Sequence, residues 1–211
     1  MACADEVGRG ALSGPVSIGM VVVTLETNTA PTGVRDSKLL SEKQRNELVP
    51  KIQSWAAAWA VGHASNDEID DLGIVPAMRL AGQRALLTLT DLGHAPDAVL
   101  LDGHHDYLSN PDQGTLFGGG DGVAEVPLVT TKIKADLDCA GVAAASILAK
   151  TTRDALMVEL AQDLPAYGWA ENKGYASPQH LDALKSLGAC HLHRRSWSLP
   201  GVPASGTKVA L

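Results

Sequence analysis

The segment Ala98-Val99-Leu100-Leu101 is apolar at every position, too short for a helix, and ends on Asp102-Gly103. A run of this kind reads as a buried strand. In an open α/β sheet the carboxyl end of such a strand is where function gathers. The segment therefore predicts both a sheet with covered faces and a carboxylate delivered to its functional edge.

The rest of the chain supplies the partners for that strand. Residues 14–24 are rich in Val and Ile and read as a second buried strand, with residues 3–7 forming the end of a strand paired with it. Ser41-Glu42-Lys43-Gln44 is a capping box that opens a helix, which Pro50 is expected to kink or end. Residues 55–62 read as a strand. Asn66 is expected to cap a short helical turn through Asp71, and Pro76 to occupy the first position of a longer helix that runs to Leu92 and stops at Gly93. Residues 126–133 read as a strand, and residues 142–164, rich in Ala and Leu and closed by Pro165, as the longest helix. Ser177-Pro178 opens one more helix, ending near Gly188. Residues 109–123 are a glycine-rich loop, and the chain becomes rich in Pro, Gly and Ser from Leu199, as a fraying tail would be. Strands and helices alternate after an early antiparallel pair, which predicts an α/β domain with a mixed sheet over residues 1–198 and a flexible tail over 199–211.

A chain of 211 residues suits one domain with a sizeable core. Its formal net charge of −7 argues against a nucleic-acid partner, which favours a basic surface. A site built of carboxylates lowers the net charge, however, and the cations it binds invert the local field. The three cysteines, Cys3, Cys139 and Cys190, form no C-x-x-C pair and read as reduced thiols. Cys190 with His191 and His193 lacks a second ligand pair for zinc and reads as a thiol beside unrelated histidines. Acidic residues stand where a signal peptide would be basic, and the apolar run of residues 16–25 is too short to span a bilayer. A cytoplasmic location with no membrane partner is expected.

Four acidic residues stand out by placement: Asp5 and Glu6 beside a glycine-rich turn, Asp102 at a strand end, and Asp154 on the long helix. Gathered at one sheet edge, such groups repel unless a cation holds them, and hard oxygen donors favour magnesium or manganese. Taken singly, each has an ordinary reading as a turn residue or a solvated helix-face residue.

The surrounding motifs resolve that ambiguity. Asp5-Glu6-Val7-Gly8-Arg9-Gly10 followed by Gly14-Pro15-Val16 is very similar to the opening motif of the type 2 ribonucleases H, ribonuclease HII. The resemblance continues in order through Asp36-Ser37-Lys38, Leu101-Asp102-Gly103, Ala143-Ala144-Ala145-Ser146-Ile147-Leu148-Ala149-Lys150, Thr152-Arg153-Asp154, Asn172-Lys173-Gly174-Tyr175, His180 and His193-Arg194-Arg195-Ser196. It implies a ribonuclease H-like fold, a mixed five-stranded sheet flanked by helices with a helical C-terminal region, and a monomer. It also implies that Asp5, Glu6, Asp102 and Asp154 are the catalytic, metal-binding set. Two features depart from the pattern: only four residues precede Asp5, so a short first strand is expected, and the loop at 109–123 is long.

The activity so implied is endonucleolytic hydrolysis of the RNA strand of RNA–DNA hybrids and cleavage 5′ to single ribonucleotides in duplex DNA. It leaves 3′-hydroxyl and 5′-phosphate ends and serves to remove ribonucleotides and RNA primers from DNA. Two Mg2+ or Mn2+ ions, roughly 3.5–4 Å apart, would carry the in-line displacement. Neighbouring strand residues point to opposite faces, so Asp5 and Glu6 cannot both reach one ion from a regular strand. Either the strand ends there or Glu6 contributes its backbone carbonyl.

Choosing RNA requires reading a 2′-hydroxyl. Gly8-Arg9-Gly10 is the candidate reader, because glycines allow close backbone approach. By the family pattern Tyr175 reads the RNA–DNA junction. Ser37, Lys38, Ser146, Lys150 and Lys173 are candidate substrate contacts, the lysines to phosphate; Lys150 can equally pair with Asp154, one helical turn on. The glycine spacing rules out a dinucleotide fingerprint, and there is neither a P-loop nor a G-x-S-x-G elbow. Two other readings use the same residues: a magnesium-dependent phosphatase or phosphotransferase, and a non-catalytic hybrid-binding module.

Overall fold

The computed structural model describes residues 1–109 and 127–202. Its sheet has the order β3-β2-β1-β4-β5, from β1 (Ala2–Val7), β2 (Val16–Val22), β3 (Ala58–Ala64), β4 (Ala98–Asp102) and β5 (Leu128–Lys132). The β1–β2 and β2–β3 pairs are antiparallel; β1–β4 and β4–β5 are parallel. The helices are α1 (Glu42–Trp55), α2 (Asn66–Leu72), α3 (Ile74–Asp91), α4 (Ala135–Asp138), α5 (Ala140–Asp163), α6 (Trp169–Asn172) and α7 (Pro178–Leu187). This is the mixed five-stranded sheet with flanking helices that the sequence predicts.

The centre of the sheet is covered on both faces, and β1 shows how. Ala2 and Ala4 pack with Ile18, Met20 and the α3 residues Leu86 and Leu89, whereas Cys3 packs with Val142 of α5. Strand alternation thus sends odd-numbered β1 residues toward α5 and even-numbered ones toward α3. Two glycines set the depth of this packing. A Cβ at Gly19 would lie 2.4 Å from the Ala145 carbonyl oxygen, and one at Gly62 would lie 2.0 Å from that of Ala81. Each glycine lets a helix rest directly on the sheet. Gly19 is the β2 partner of Asp5, so the close seat of α5 also fixes what lies above Asp5.

Local signals landed where chemistry is local. Ser41 and Gln44 form the expected reciprocal cap, and Ser177 caps α7 ahead of Pro178. Other expectations are corrected. Pro50 does not end α1, which continues to Trp55. The proline deprives the Asn46 carbonyl of its helical donor, but both residues are exposed, and buried Leu48 and Ile52 hold the helix on either side. The next strand starts at Ala58 rather than 55, because Trp55 closes the helix and donates its indole N–H to the Asn28 carbonyl at 2.7 Å. The cap of α2 is Ser65, paired with Glu68. Asn66 instead turns its amide to the His191 carbonyl at 2.8 Å. Helix α3 begins at Ile74, two residues before Pro76, as Gly73 takes a left-handed φ of 84°.

Most of the predicted loop at 109–123 lies outside the described residues, as do residues 203–211. Leu199, at the start of the predicted tail, is buried in the C-terminal cluster with Trp169 and Leu184.

Candidate active site

Pairing of β1 with β4 stops at Ala4 and Leu101, while pairing with β2 continues to Val7. Past Ala4 one edge of β1 is free, and there, at the carboxyl ends of two parallel strands, stand Asp5, Glu6 and Asp102. The strand does not end at Asp5, so the two adjacent acids leave it on opposite faces. Asp5 lies under α5 near the Ser146 hydroxyl. Glu6 faces Tyr107, whose hydroxyl donates to it at 3.5 Å, and Arg9, at 3.7 Å.

Asp5 is 5 % exposed, and its Oδ1 accepts from the Glu6 amide at 2.8 Å. Burial pushes its carboxyl up to about 7; the charges of Glu6 and Asp102 add to this, and Ser146 and Lys38 offset part of it. Burial also raises Glu6, with Arg9 opposing and Asp102 reinforcing. Asp102 is fixed by the Ala135 amide, which donates to its Oδ1 at 2.7 Å.

That last bond brings in a residue the sequence reading missed. Ala135 opens α4, and the next residue, buried Asp136, has its carboxyl raised by burial and by the charges of Asp102 and Asp36. Asp36 caps the turn Ser37–Leu39, so that Ser37 meets the Ser146 hydroxyl at 2.8 Å. Burial pulls the Lys38 ammonium down, but Asp36, Asp5, Asp136 and Asp102 outweigh it and hold it above its ordinary value. The signal for Asp136 was available: it follows the carboxyl end of β5, the next parallel strand.

Asp154 stands apart from this group. Its carboxylate is held by Lys150 at 2.5 and 2.6 Å, with Arg45 at 3.9 Å. Asp5, Glu6, Ser37, Lys38, Ser146 and Lys150 line a cleft of about 270 Å³ together with Gly8, Arg9, Gly10 and Tyr175. A larger groove of about 670 Å³ runs along β3, but it has no carboxylate, so the smaller cleft is the candidate site.

The other wall of the cleft is held by two fully buried arginines. Arg153 donates to the carbonyls of Ser13, Pro15 and Lys173. Arg194 donates to those of Gly8, Arg9 and Gly14. Burial pulls both guanidiniums below their ordinary range, yet carbonyl acceptors demand donors, and arginine keeps its proton in proteins. Gly8 is required twice over: its φ is +82°, and a Cβ there would lie 2.1 Å from the Arg153 Nε. Tyr175 lies against the Arg153 guanidinium, and its hydroxyl accepts the Gly8 amide at 3.1 Å. Lys173, expected to reach substrate, is not among the cleft's lining residues. Its ammonium donates to the Ala170 carbonyl and its backbone adopts a φ of 52°. Arg194 itself is placed by buried His193, which meets His180 at 3.0 Å and pairs in a short bridge with Ser13.

The ribonuclease HII family model matches residues 2–199. The chain belongs to the ribonuclease HII family. It is 45% identical over 194 residues to a ribonuclease HII of Streptomyces coelicolor, covering 92% of this chain and 75% of that protein. It is 42% identical over 196 residues to the Paracoccus denitrificans protein, covering 92% and 82%. The solved ribonuclease H2 of Pyrococcus horikoshii superposes with a TM-score of 0.69 at 28% identity, over 95% of each chain. The fold is therefore ribonuclease H-like, and the protein is a ribonuclease H, a nuclease of a family that uses divalent metals.

The donor set fits such an ion chemically: it is all oxygen, crowded, and short of compensating charge. Among the described residues no three His, Cys, Asp or Glu side chains are gathered tightly enough to hold an ion as they stand.

Proposed function

We propose that this ribonuclease H cuts the RNA strand of RNA–DNA hybrids and cleaves 5′ to single ribonucleotides in duplex DNA, leaving 3′-hydroxyl and 5′-phosphate ends. The observation that carries the reading is the hydrogen bond from the Gly8 amide to the Tyr175 hydroxyl. It joins residues 167 positions apart into one wall, next to the carboxylates in the same cleft. The backbone of Gly8-Arg9-Gly10 can present N–H and C=O groups to a ribose 2′-hydroxyl. The Tyr175 ring can lie against the adjoining sugar and set where the ribonucleotide stops.

Asp5, Glu6, Asp102 and Asp136 would hold the metal ions, Asp136 replacing Asp154 in the set expected from sequence. Two bound Mg2+ or Mn2+ ions would supply an activated water and neutralise charge on the leaving oxygen. Lys38 and Lys150 face the cleft and suit phosphate contact. Asp154 holds the Lys150 ammonium in place. Ser37 and Ser146 tie the 36–39 turn to α5 beside Asp5.

The test is cleavage of duplex DNA carrying one ribonucleotide, with magnesium or manganese and with chelator as control. Metal-dependent cutting 5′ to the ribonucleotide is expected. Cutting of long hybrid alone would remove the junction role of Tyr175. Turnover of small phosphoesters with hybrid ignored would favour a phosphatase, and binding without cutting a non-catalytic module.

A further inference from the structure

Two of the three cysteines meet beneath the catalytic edge. Cys3 of β1 and Cys139, the residue that precedes α5, place their sulfurs 3.9 Å apart although 136 positions separate them in sequence. Gly141 makes the meeting possible: a Cβ there would lie 2.5 Å from the Cys3 sulfur and 3.8 Å from that of Cys139. The two thiols differ in access. Cys3 is fully buried and Cys139 is partly exposed. They differ in acidity too. The hydrogen bond with Cys3, and the Val142 and Gly141 amides at the start of α5, hold the Cys139 thiol below its ordinary value.

Both thiols sit close in sequence to the carboxylates. Cys3 lies two residues before Asp5 on the same strand. Cys139 ends the short segment that carries Asp136 and the Ala135 amide bonded to Asp102, and its own amide donates to the Ala135 carbonyl at 2.7 Å.

We propose that Cys3 and Cys139 form a peroxide-reactive dithiol, a modification site whose closure to a disulfide draws the α4–α5 junction onto β1 and displaces Asp136 from Asp102. The oxidant is a hydroperoxide. The Cys139 thiolate attacks one peroxide oxygen; an S–O bond forms, the O–O bond breaks, and the departing oxygen leaves as water after taking a proton. The Cys3 sulfur then attacks the Cys139 sulfur. The S–S bond forms, the S–O bond breaks, and the hydroxyl leaves as water with the Cys3 proton. Two thiols give two electrons to one hydrogen peroxide and yield a disulfide and two waters. Closure takes the sulfurs from 3.9 Å to ~2.05 Å and pulls the α4–α5 junction and β1 toward each other. A displacement of ~1 Å in a catalytic constellation lowers rates by as much as about a hundredfold.

The chemical part of this inference stands alone, and its effect on rate rests on the nuclease reading above. The experiment treats the reduced full chain with hydrogen peroxide, alkylates the remaining thiols, and maps the peptides by mass spectrometry. Metal is then added and cleavage of an RNA–DNA hybrid is timed. A Cys3–Cys139 peptide lighter by two hydrogens is expected, with the rate down by about tenfold to a hundredfold and restored by dithiothreitol. Cys139→Ser, which keeps a good capping residue before α5, should cut at the reduced wild-type rate and ignore peroxide; Cys190→Ser should respond like wild type. Over-oxidised Cys139 beside an unlinked Cys3 thiol would overturn the dithiol. A cross-link that leaves the rate unchanged would overturn the displacement. Failure of the reduced protein to cut hybrid would count against the nuclease reading, while the mass measurement still decides the cross-link.

Discussion

On one wall of the cleft, two guanidiniums are fully buried and, among the described residues, satisfied by backbone carbonyls rather than by a carboxylate salt bridge. On the other, Asp5, Glu6, Asp102 and Asp136 crowd around the ammonium of Lys38. The first wall needs no added charge: each guanidinium nitrogen donates to a backbone carbonyl, and the loop at residues 8–15 is pinned from two directions. The second is electrostatically incomplete, and burial raises the carboxyls of Asp5, Glu6 and Asp136 because too little positive charge faces them. The difference separates two tasks. Reading a 2′-hydroxyl needs a backbone that does not move, whereas holding divalent cations needs carboxylates that no protein cation has already neutralised.

The largest effect should come from the incomplete wall. Asp5→Asn removes a charge that the proposed metal site needs; metal-ion stabilisation of the transition state amounts to several kcal/mol, which is about a thousandfold in rate. Single-turnover cleavage should fall by that order while circular dichroism stays native. The same substitution has a second, opposite signature in chelator-treated protein. The folded Asp5 keeps its proton up to about 7, against 3.8 for an ordinary aspartate. Stability from this group is therefore full below 3.8 and is lost as pH rises toward 7. Urea unfolding of the metal-free wild type should weaken over that window, and D5N should lose that part of the slope. An unchanged slope would mean that Asp5 is not held protonated by its surroundings.

The complete wall should respond in stability. Arg194→Met leaves the buried Gly14 carbonyl without a donor, removes one of the two donors of the Gly8 carbonyl, which still accepts the Ala11 amide, and breaks the bond to the Arg9 carbonyl. At about 1–3 kcal/mol for the orphaned group and about 1 kcal/mol for each of the other two bonds, a loss of roughly 3 kcal/mol or more is expected. Chemical denaturation measures it directly. A neutral R194M would break the comparison, since the loop would then owe its shape to its own glycines.

Asp136 and Asp154 sharpen the comparison further and mark where sequence reasoning stopped. The buried strand at 98–101, the Ser41–Gln44 cap and the long helix were legible because each is written in consecutive residues. Which carboxylate faces Asp102 is a question of where α4 lands against β4, and the one-turn spacing of Lys150 and Asp154 allows their pairing without deciding it against a metal role. The buried arginines were hidden for the same reason: their acceptors lie 138 and 180 positions away. Asp136→Asn should lower cleavage by about a hundredfold and Asp154→Asn by about tenfold, the range from a metal-site residue to one that orients a neighbour. The reverse order, measured at saturating magnesium, would return Asp154 to the metal set.

The smallest effect tests whether the two walls work as one. Tyr175→Phe keeps the ring against Arg153 and deletes only the hydroxyl that accepts the Gly8 amide. A neutral hydrogen bond of this kind contributes about 1 kcal/mol, which corresponds to roughly fivefold in rate. If that bond aligns the reader with the carboxylates, the loss should fall mainly on duplexes with a single ribonucleotide, where one 2′-hydroxyl must be registered. A long hybrid offers a 2′-hydroxyl in every register, so its cleavage should change less. Tyr175→Ala, which also removes the ring, should widen the gap between the two substrates. Equal losses on both would show the tyrosine acting through packing alone, and the two walls would then be independent.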